Sequence, residues 1–194
     1  IASDDNFDPL VAGKWLSDVA DHTVLAALRL ALFQYQLPAD FPMVSLAMGK
    51  HGSQSMGLVS DLDMVFILVH EDPFALGPKN KNHREWAQRT GRRIIQHLSL
   101  KPPYGAGFEF DARLRPSGNS GVLVTTLQAF HEYQLHEAHT WEHQALCRGR
   151  PISFSESANQ KVKTVKADIL SLPRVENELK HEVKKMRAKM VEHL

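Results

Sequence analysis

The sequence predicts an α+β fold, with a strand-containing core followed by a helical extension. Three observations lead there. Apolar runs of strand length stand at residues 41–49 and 62–70 and again on either side of a turn within 107–126. Amphipathic helical spacing precedes the first run and separates the second from the third. Beyond residue 127 the stretches 127–146 and 155–194 contain no strand-like run.

Between Pro9 and Pro38, Leu16, Val19, Ala20, Thr23, Val24, Ala27, Leu30 and Ala31 recur at three-and-four spacing, which predicts one long helix or two short ones. Asp18 and Asp21 fall near its polar edge. Pro38 and Pro42 bracket a break, and FPMVSLAMG then reads as a strand that ends in Gly49, with a turn or phosphate-type loop after it. The segment from Leu62 to His70, LDMVFILVH, is too apolar for a surface strand and too short for an average helix. It is expected to be a strand buried on much of both faces. EDPFALGPKNKN is a loop by its prolines, glycine and asparagines. HREWAQRTGRRIIQHLSL is a helix with Trp86, Ile94 and Leu98 on one side and a basic outer face, closed by Pro102 and Pro103. GFEFDARLR and GVLVTT, separated by the turn PSGNSG, are expected to be adjacent strands. From about residue 127 the chain is expected to be helical to its end, where NELKHEVKKMRAKMVEHL places Leu179, Val183, Met186 and Met190 on an apolar side. The expected organisation is an N-terminal helical segment over 1–40 packing on a core over 41–126, with a helical extension over 127–194.

Composition excludes several functions. With 23 Lys plus Arg against 22 Asp plus Glu, the net charge is +1, and no dense basic field exists to neutralise the phosphates of a nucleic acid. The single Cys147 allows no internal disulfide and no cysteine metal knuckle, which suits a reducing cytoplasmic compartment. No run approaches about 18 apolar residues, and the opening IASDDNFDPL is acidic where a signal peptide is basic, so no membrane association is expected.

The chemistry concentrates in MGKHGSQSMGLVSDLDMVFIL. Asp61 and Asp63 stand two apart at the mouth of the apolar strand, and a period of two puts both on one face. Paired carboxylates repel unless a divalent cation lies between them, and Mg2+ is the simplest candidate. Asp111 occurs in FEFDARLR, and if that strand neighbours the first it completes a three-carboxylate site for two metal ions. Upstream, Gly49, Gly52 and Gly57 surround Lys50 and Ser53, a setting in which backbone N–H groups and the serine hydroxyl can face phosphate. Neither GxxxxGK[ST] nor GxGxxG is present. A D-x-D alone also stands at strand ends that bind nothing. The combination points to attack on a nucleoside triphosphate, with pyrophosphate leaving.

Other residues admit two readings. Arg113 and Arg115, expected on the strand face of Asp111, either contact triphosphate or neutralise nearby carboxylates. Glu132, His136, His139 and His143 form one stripe if they share a helix, a set that zinc would accept, though satisfied or surface histidines are the commoner outcome. Arg148 and Arg150 serve either phosphate or a bridge between core and helices, with the bridge favoured. Trp141 reads as a packing anchor beside Leu135, Ala138 and Leu146.

The strings GKHGSQSMGLVSDLDMVFIL, FEFDARLRPSGNSG, AFHEYQLHEAHTWEHQALCRGR and ILSLPRVENELKHEVKKMRAKM resemble the glutamine synthetase adenylyltransferase family over roughly residues 43–194. The resemblance implies a DNA-polymerase-β-like nucleotidyltransferase core with a mixed sheet, followed by a helical bundle extension. It implies Asp61, Asp63 and Asp111 as catalytic ligands of two Mg2+ ions, and ATP as the donor. Lys50, Gly52, Ser53, Arg113 and Arg115 would lie on the nucleotide. The implied acceptor is a tyrosine hydroxyl of glutamine synthetase, with a nitrogen-signalling protein acting through regions outside this chain. DARLRPSG and WEHQAL are more similar to the C-terminal, adenylylating copy of these two-core enzymes. The same site could serve phosphorolytic deadenylylation, or the fold could persist as a binding module. One departure is His51, where the family usually has leucine. A length of 194 residues beginning with Ile1 fits one core and suggests an excised domain.

Overall fold

The computed structural model describes residues 8–100 and 107–192. The expected closure by Pro102 and Pro103, the first seven positions of the N-terminal segment and the side-chain placement of Met190 lie outside the described residues. Helix α1 (Pro9–Tyr35) is one continuous helix. Asp8 caps it by accepting from Leu10 N–H, Pro9 presets the first turn, and Gln36 closes it in the left-handed region. Strand β1 (Met43–Ala47) leads through a single helical turn, α2 (Gly49–Gly52), to β2 (Leu62–Leu68). The loop expected after Gly49 therefore begins as a helical turn. Helix α3 (His83–Leu98) starts at a capping box between Asn82 and Glu85, and buries Trp86, Ile94 and Leu98 as expected.

The sheet is mixed. β1 and β2 pair antiparallel, whereas β3 (Phe110–Asp111) and β4 (Val124–Thr126) both run parallel to β2. The expected adjacency of β3 and β4 is not observed: β3 pairs with Leu62 and Asp63, and β4 pairs further along with Phe66, Ile67 and Leu68. Each gains more by extending the buried edge of β2 than a hairpin on the surface would supply. Residues 112–123 bulge away between them.

The extension folds as α4 (Leu127–His136), α5 (Thr140–Leu146), α6 (Glu156–Leu170) and α7 (Glu176–Glu192), but it is not purely helical. Strand β5 (Arg150–Ile152) pairs antiparallel with the free edge of β1. A three-residue strand containing a proline gives no periodic signal, and only the unpaired edge of β1 accounts for it.

Alternation along β2 builds two cores. Leu62, Met64, Phe66 and Leu68 pack against α1 and α3, while Val65, Ile67 and Val69 pack against Phe130, Leu146, Val162 and Ile169 from the extension. The expectation of a strand buried on both faces holds. Within α1 the buried face is Gly13, Ser17, Ala20, Val24, Ala27, Leu28, Ala31 and Leu32. Val19 and Leu30, expected inside, are 56% and 50% exposed. Apolar residues surround most of this helix, so spacing alone does not select the face, and the small residues win because they allow close approach. On α7, Val183 and Met186 are half-buried, and Leu179 is exposed. Among the described residues no helix is long and apolar enough to cross a membrane.

Phe66 is fully buried, and its ring stacks on Phe110 with centroids 5.8 Å apart. Phe66→Ala is expected to cost about 3–5 kcal/mol in a denaturant titration, through lost burial and the cavity left behind.

Candidate functional site

Strand parity determines where the acids point. Asp61 and Asp63 share the face of Val65 and Ile67, the side covered by the extension. Paired residues of a parallel ladder project to the same side, so the Asp63–Asp111 register carries Asp111 onto that face as well. The three residues expected to act together are brought together: one oxygen from each of Asp61, Asp63 and Asp111 lies within 4.8 Å of the others. Leu62 N–H donates to Glu109 O at 2.7 Å, and the stacked Phe110 and Phe66 rings hold the short β3 in place.

The environment separates these carboxylates. Burial raises the pKa of Asp63 to about 6, with the charges of Asp61 and Asp111 adding to the effect. Asp111 is held below the usual carboxylate range by Arg113. The Arg113 guanidinium donates to Asp111 Oδ2 through Nε at 2.8 Å, and its backbone N–H donates to Oδ1 at 2.7 Å. Arg113 and Arg115 lie beyond the end of β3, in the turn that follows, rather than on the strand. Arg113 folds back as the neutralising partner of Asp111, and Arg115 donates to Ala112 O at 2.7 Å. Asp61, Asp111, Arg113 and Arg115 border an open cleft of ≈ 460 Å³ with Ile95 and Leu123 as its apolar wall.

Three carboxylates with one paired guanidinium leave the cluster negative, and its donors are all hard oxygens. That set fits a divalent cation of the Mg2+ or Ca2+ type and not a sulfur- or nitrogen-seeking metal. The cost of ionising Asp63, from burial first and from the two other acids next, is one a bound cation would offset.

The preceding loop is built against the acids. Met48 N–H donates to Asp63 O at 2.8 Å, and Gly49 adopts φ +53°. A Cβ at Gly49 would stand 2.2 Å from Asp63 Oδ2. At Gly52 a Cβ would meet Arg148 O at 2.2 Å and Ala47 O at 2.5 Å. Both glycines are thus demanded by close packing. The N–H groups of Gly52 and Ser53 donate inside the turn, to Met48 O at 2.7 Å and Gly49 O at 3.2 Å. Lys50 and Ser53 are exposed, and the Ser53 hydroxyl bonds Gly49 O at 3.0 Å.

Sequence reasoning did not bring together the residues beneath this loop. His51 is buried, and it meets Asp21 of α1 and Arg150 of β5. Arg150 is therefore a bridge, as favoured, whereas Arg148 is exposed. No local spacing could reveal partners so distant in the chain; the histidine between two glycines was the only local signal.

The histidine stripe does not form a site. His136 ends α4 and His139 precedes α5, so the helix breaks inside the stripe. His143 Nε2 donates to Gln134 O at 2.8 Å, and its Nδ1 accepts from Arg174 at 3.1 Å. Among the described residues only Asp61, Asp63 and Asp111 gather as a possible metal site. Trp141 is half-buried on α5, the helix that packs against α7.

A family model described as glutamate-ammonia ligase adenylyltransferase matches residues 12–165 of this chain. The bifunctional glutamine synthetase adenylyltransferase/adenylyl-removing enzyme of Acinetobacter baylyi is 37% identical over 194 residues, covering 92% of this chain and 21% of that protein. The enzyme of the same name from Methylococcus capsulatus is 35% identical over 199 residues, covering 95% of this chain and 21% of that protein. The chain thus spans about a fifth of the length of these curated relatives.

Asp63 also gives the site a pH signature. Its folded-state pKa of about 6 lies above the ordinary 3.8, so the stability it contributes is present below the lower value and is lost as pH rises through the upper one. In thermal melts without divalent cation, the wild type is expected to lose stability relative to Asp63→Asn from about pH 4 to about pH 7. Added Mg2+ should reverse that relative loss.

Proposed function

The chain belongs to the glutamate-ammonia ligase adenylyltransferase family, and on that premise we propose that it is a nucleotidyltransferase unit that moves AMP from ATP to a tyrosine hydroxyl of glutamine synthetase. The observation that carries the reading is the convergence of Asp61, Asp63 and Asp111, where burial first and the charges of the other two next raise the pKa of Asp63. The mixed sheet with helices on both faces supports assigning a DNA-polymerase-β-like core over 41–126, flanked by the segments 1–40 and 127–194.

In this mechanism Asp61, Asp63 and Asp111 would hold two Mg2+ ions, whose charge would offset that of the triphosphate. The tyrosine hydroxyl gives its proton to an Asp111 carboxylate oxygen as its own oxygen bonds the α-phosphorus, the bond from that phosphorus to the bridging oxygen breaks, and pyrophosphate leaves with the electron pair. Arg113 keeps Asp111 ionised and oriented. Its side chain, 74% exposed, and Arg115 border the cleft in which phosphate oxygens would lie. Lys50 and the turn containing Gly52 and Ser53 lie on the triphosphate side, with Lys50 supplying a mobile positive charge. The near-neutral chain, without a broad basic surface, suits a protein acceptor better than a nucleic acid.

The direction, adenylylation rather than phosphorolytic removal, rests on the DARLRPSG and WEHQAL strings. Regulation by a nitrogen-signalling protein is assigned to regions outside this chain.

Radiolabelled AMP from ATP should appear on purified glutamine synthetase when Mg2+ is supplied, and should disappear with Asp61→Asn or Asp63→Asn while those variants remain folded. A folded wild-type chain that neither transfers AMP nor binds ATP would overturn the proposal.

A further inference from the structure

Beneath the loop that joins β1 to β2, a charged cluster connects three distant parts of the chain. His51 is 1% exposed, and its Nε2 lies 2.7 Å from Asp21 Oδ1. Arg150 grips the same carboxylate with both ends of its fork, Nη1 to Oδ2 at 2.6 Å and Nη2 to Oδ1 at 2.9 Å. Arg150 then turns to the loop itself: Nη2 donates to His51 O at 3.2 Å, and Nε donates to Gly52 O at 3.3 Å. The guanidinium thus caps Gly52 O at the end of the α2 turn and adds a second donor to His51 O, which already accepts from Gln54 N–H at 3.2 Å. Burial alone would raise the pKa of Asp21, but the hydrogen bonds from His51 and Arg150 and the Arg150 charge hold it below the usual carboxylate range.

We propose that Asp21, His51 and Arg150 are positioning residues for the nucleotide, a clasp that fixes the backbone of residues 49–53 against Asp63. This rests on the nucleotidyltransferase reading of that loop. The loop has no apolar side chain of its own to anchor it between Met48 and Met56, since that stretch consists of Gly, Lys, His, Gly, Ser, Gln and Ser. Its only buried side chain is His51. Holding that side chain on an ionised Asp21, itself pinned by Arg150, replaces the missing apolar anchor with directional bonds. Two of these partners come from α1 and β5, outside the 41–126 core. The N-terminal helix and the edge strand therefore belong to the nucleotide site as well as to the fold.

The clasp touches neither the metal-binding oxygens nor the reacting atoms, so it should act on nucleotide affinity more than on turnover. For Asp21→Asn the affinity for a non-hydrolysable ATP analogue with Mg2+, measured by calorimetry well below the melting temperature, is expected to weaken about tenfold. AMP transfer at saturating ATP should change much less, and amide hydrogen exchange across residues 49–55 should accelerate. Arg150→Lys, which keeps the charge and loses the fork, should fall between wild type and Arg150→Gln. His51→Leu preserves the buried volume and keeps the comparison open if Asp21→Asn proves unstable. Asp21→Asn combined with Arg150→Gln should lose little more affinity than either alone, because the three residues act as one unit.

A lower melting temperature with analogue affinity and loop exchange unchanged would make the cluster merely structural and overturn the proposal. If the folded wild type binds no analogue at all, the nucleotidyltransferase reading falls, and the nucleotide role of the clasp falls with it. If the wild type binds and the variants bind equally well, only the clasp is overturned.

Discussion

A strand buried on both faces cannot tolerate ionised side chains along its length, and β2 meets that constraint by keeping its acids at one end. From Leu62 to Leu68 every residue but Asp63 is buried, and the alternate residues feed two separate cores. Both helical layers are therefore tied to a strand whose N-terminal end opens onto solvent. Asp61 and Asp63 stand at that opening with their backbone fixed by the packing behind them. Asp111 is delivered by β3, which pairs with β2 only at that end. The rigidity of the acids is borrowed from the apolar strand, so three like charges can be held close without the chain relaxing to separate them.

Much of this was legible because β2 announces itself. An uninterrupted apolar run with a D-x-D at its mouth needs no partner to be read, and period two places both acids correctly. The helix at 83–98 was equally plain, because Asn82 and Glu85 cap a periodic pattern. What escaped was whatever depended on a second segment. β5 exists because β1 has an unpaired edge. β3 and β4 line up along β2 rather than along each other, although PSGNSG reads as a hairpin turn. The face of α1 was misjudged at Val19 and Leu30 because apolar residues encircle the helix, so the buried side was decided by which residues were small. The histidine stripe failed for a local reason, a helix break that spacing alone does not show.

The site loop shows the same division. Gly49 and Gly52 suggest a phosphate-facing turn when met in sequence, but in the fold each is required by backbone or carboxylate atoms crowding its α-carbon. The two readings are compatible, since a loop packed tightly from behind can present its exposed Lys50 and Ser53 in a fixed position. His51, a departure from the family's usual leucine, is the loop's buried root. A polar residue enclosed by the fold carries more information than an exposed one, and only the tertiary structure shows which is which.

The short parallel β3 has a consequence for how the protein assembles. Its pairing joins Asp63 to Asp111, and that of β5 joins Ser45 to Ile152, so both join segments far apart in the chain. The β1–β2 hairpin can form from neighbouring residues, but these later pairings must close long loops before they gain anything. Asp61 and Asp63 repel each other locally, but the third charge, Asp111, joins them only through a pairing that spans 48 residues of chain. The full cost of gathering the acids is therefore met by a long-range contact of the native sheet and not by the hairpin that carries two of them.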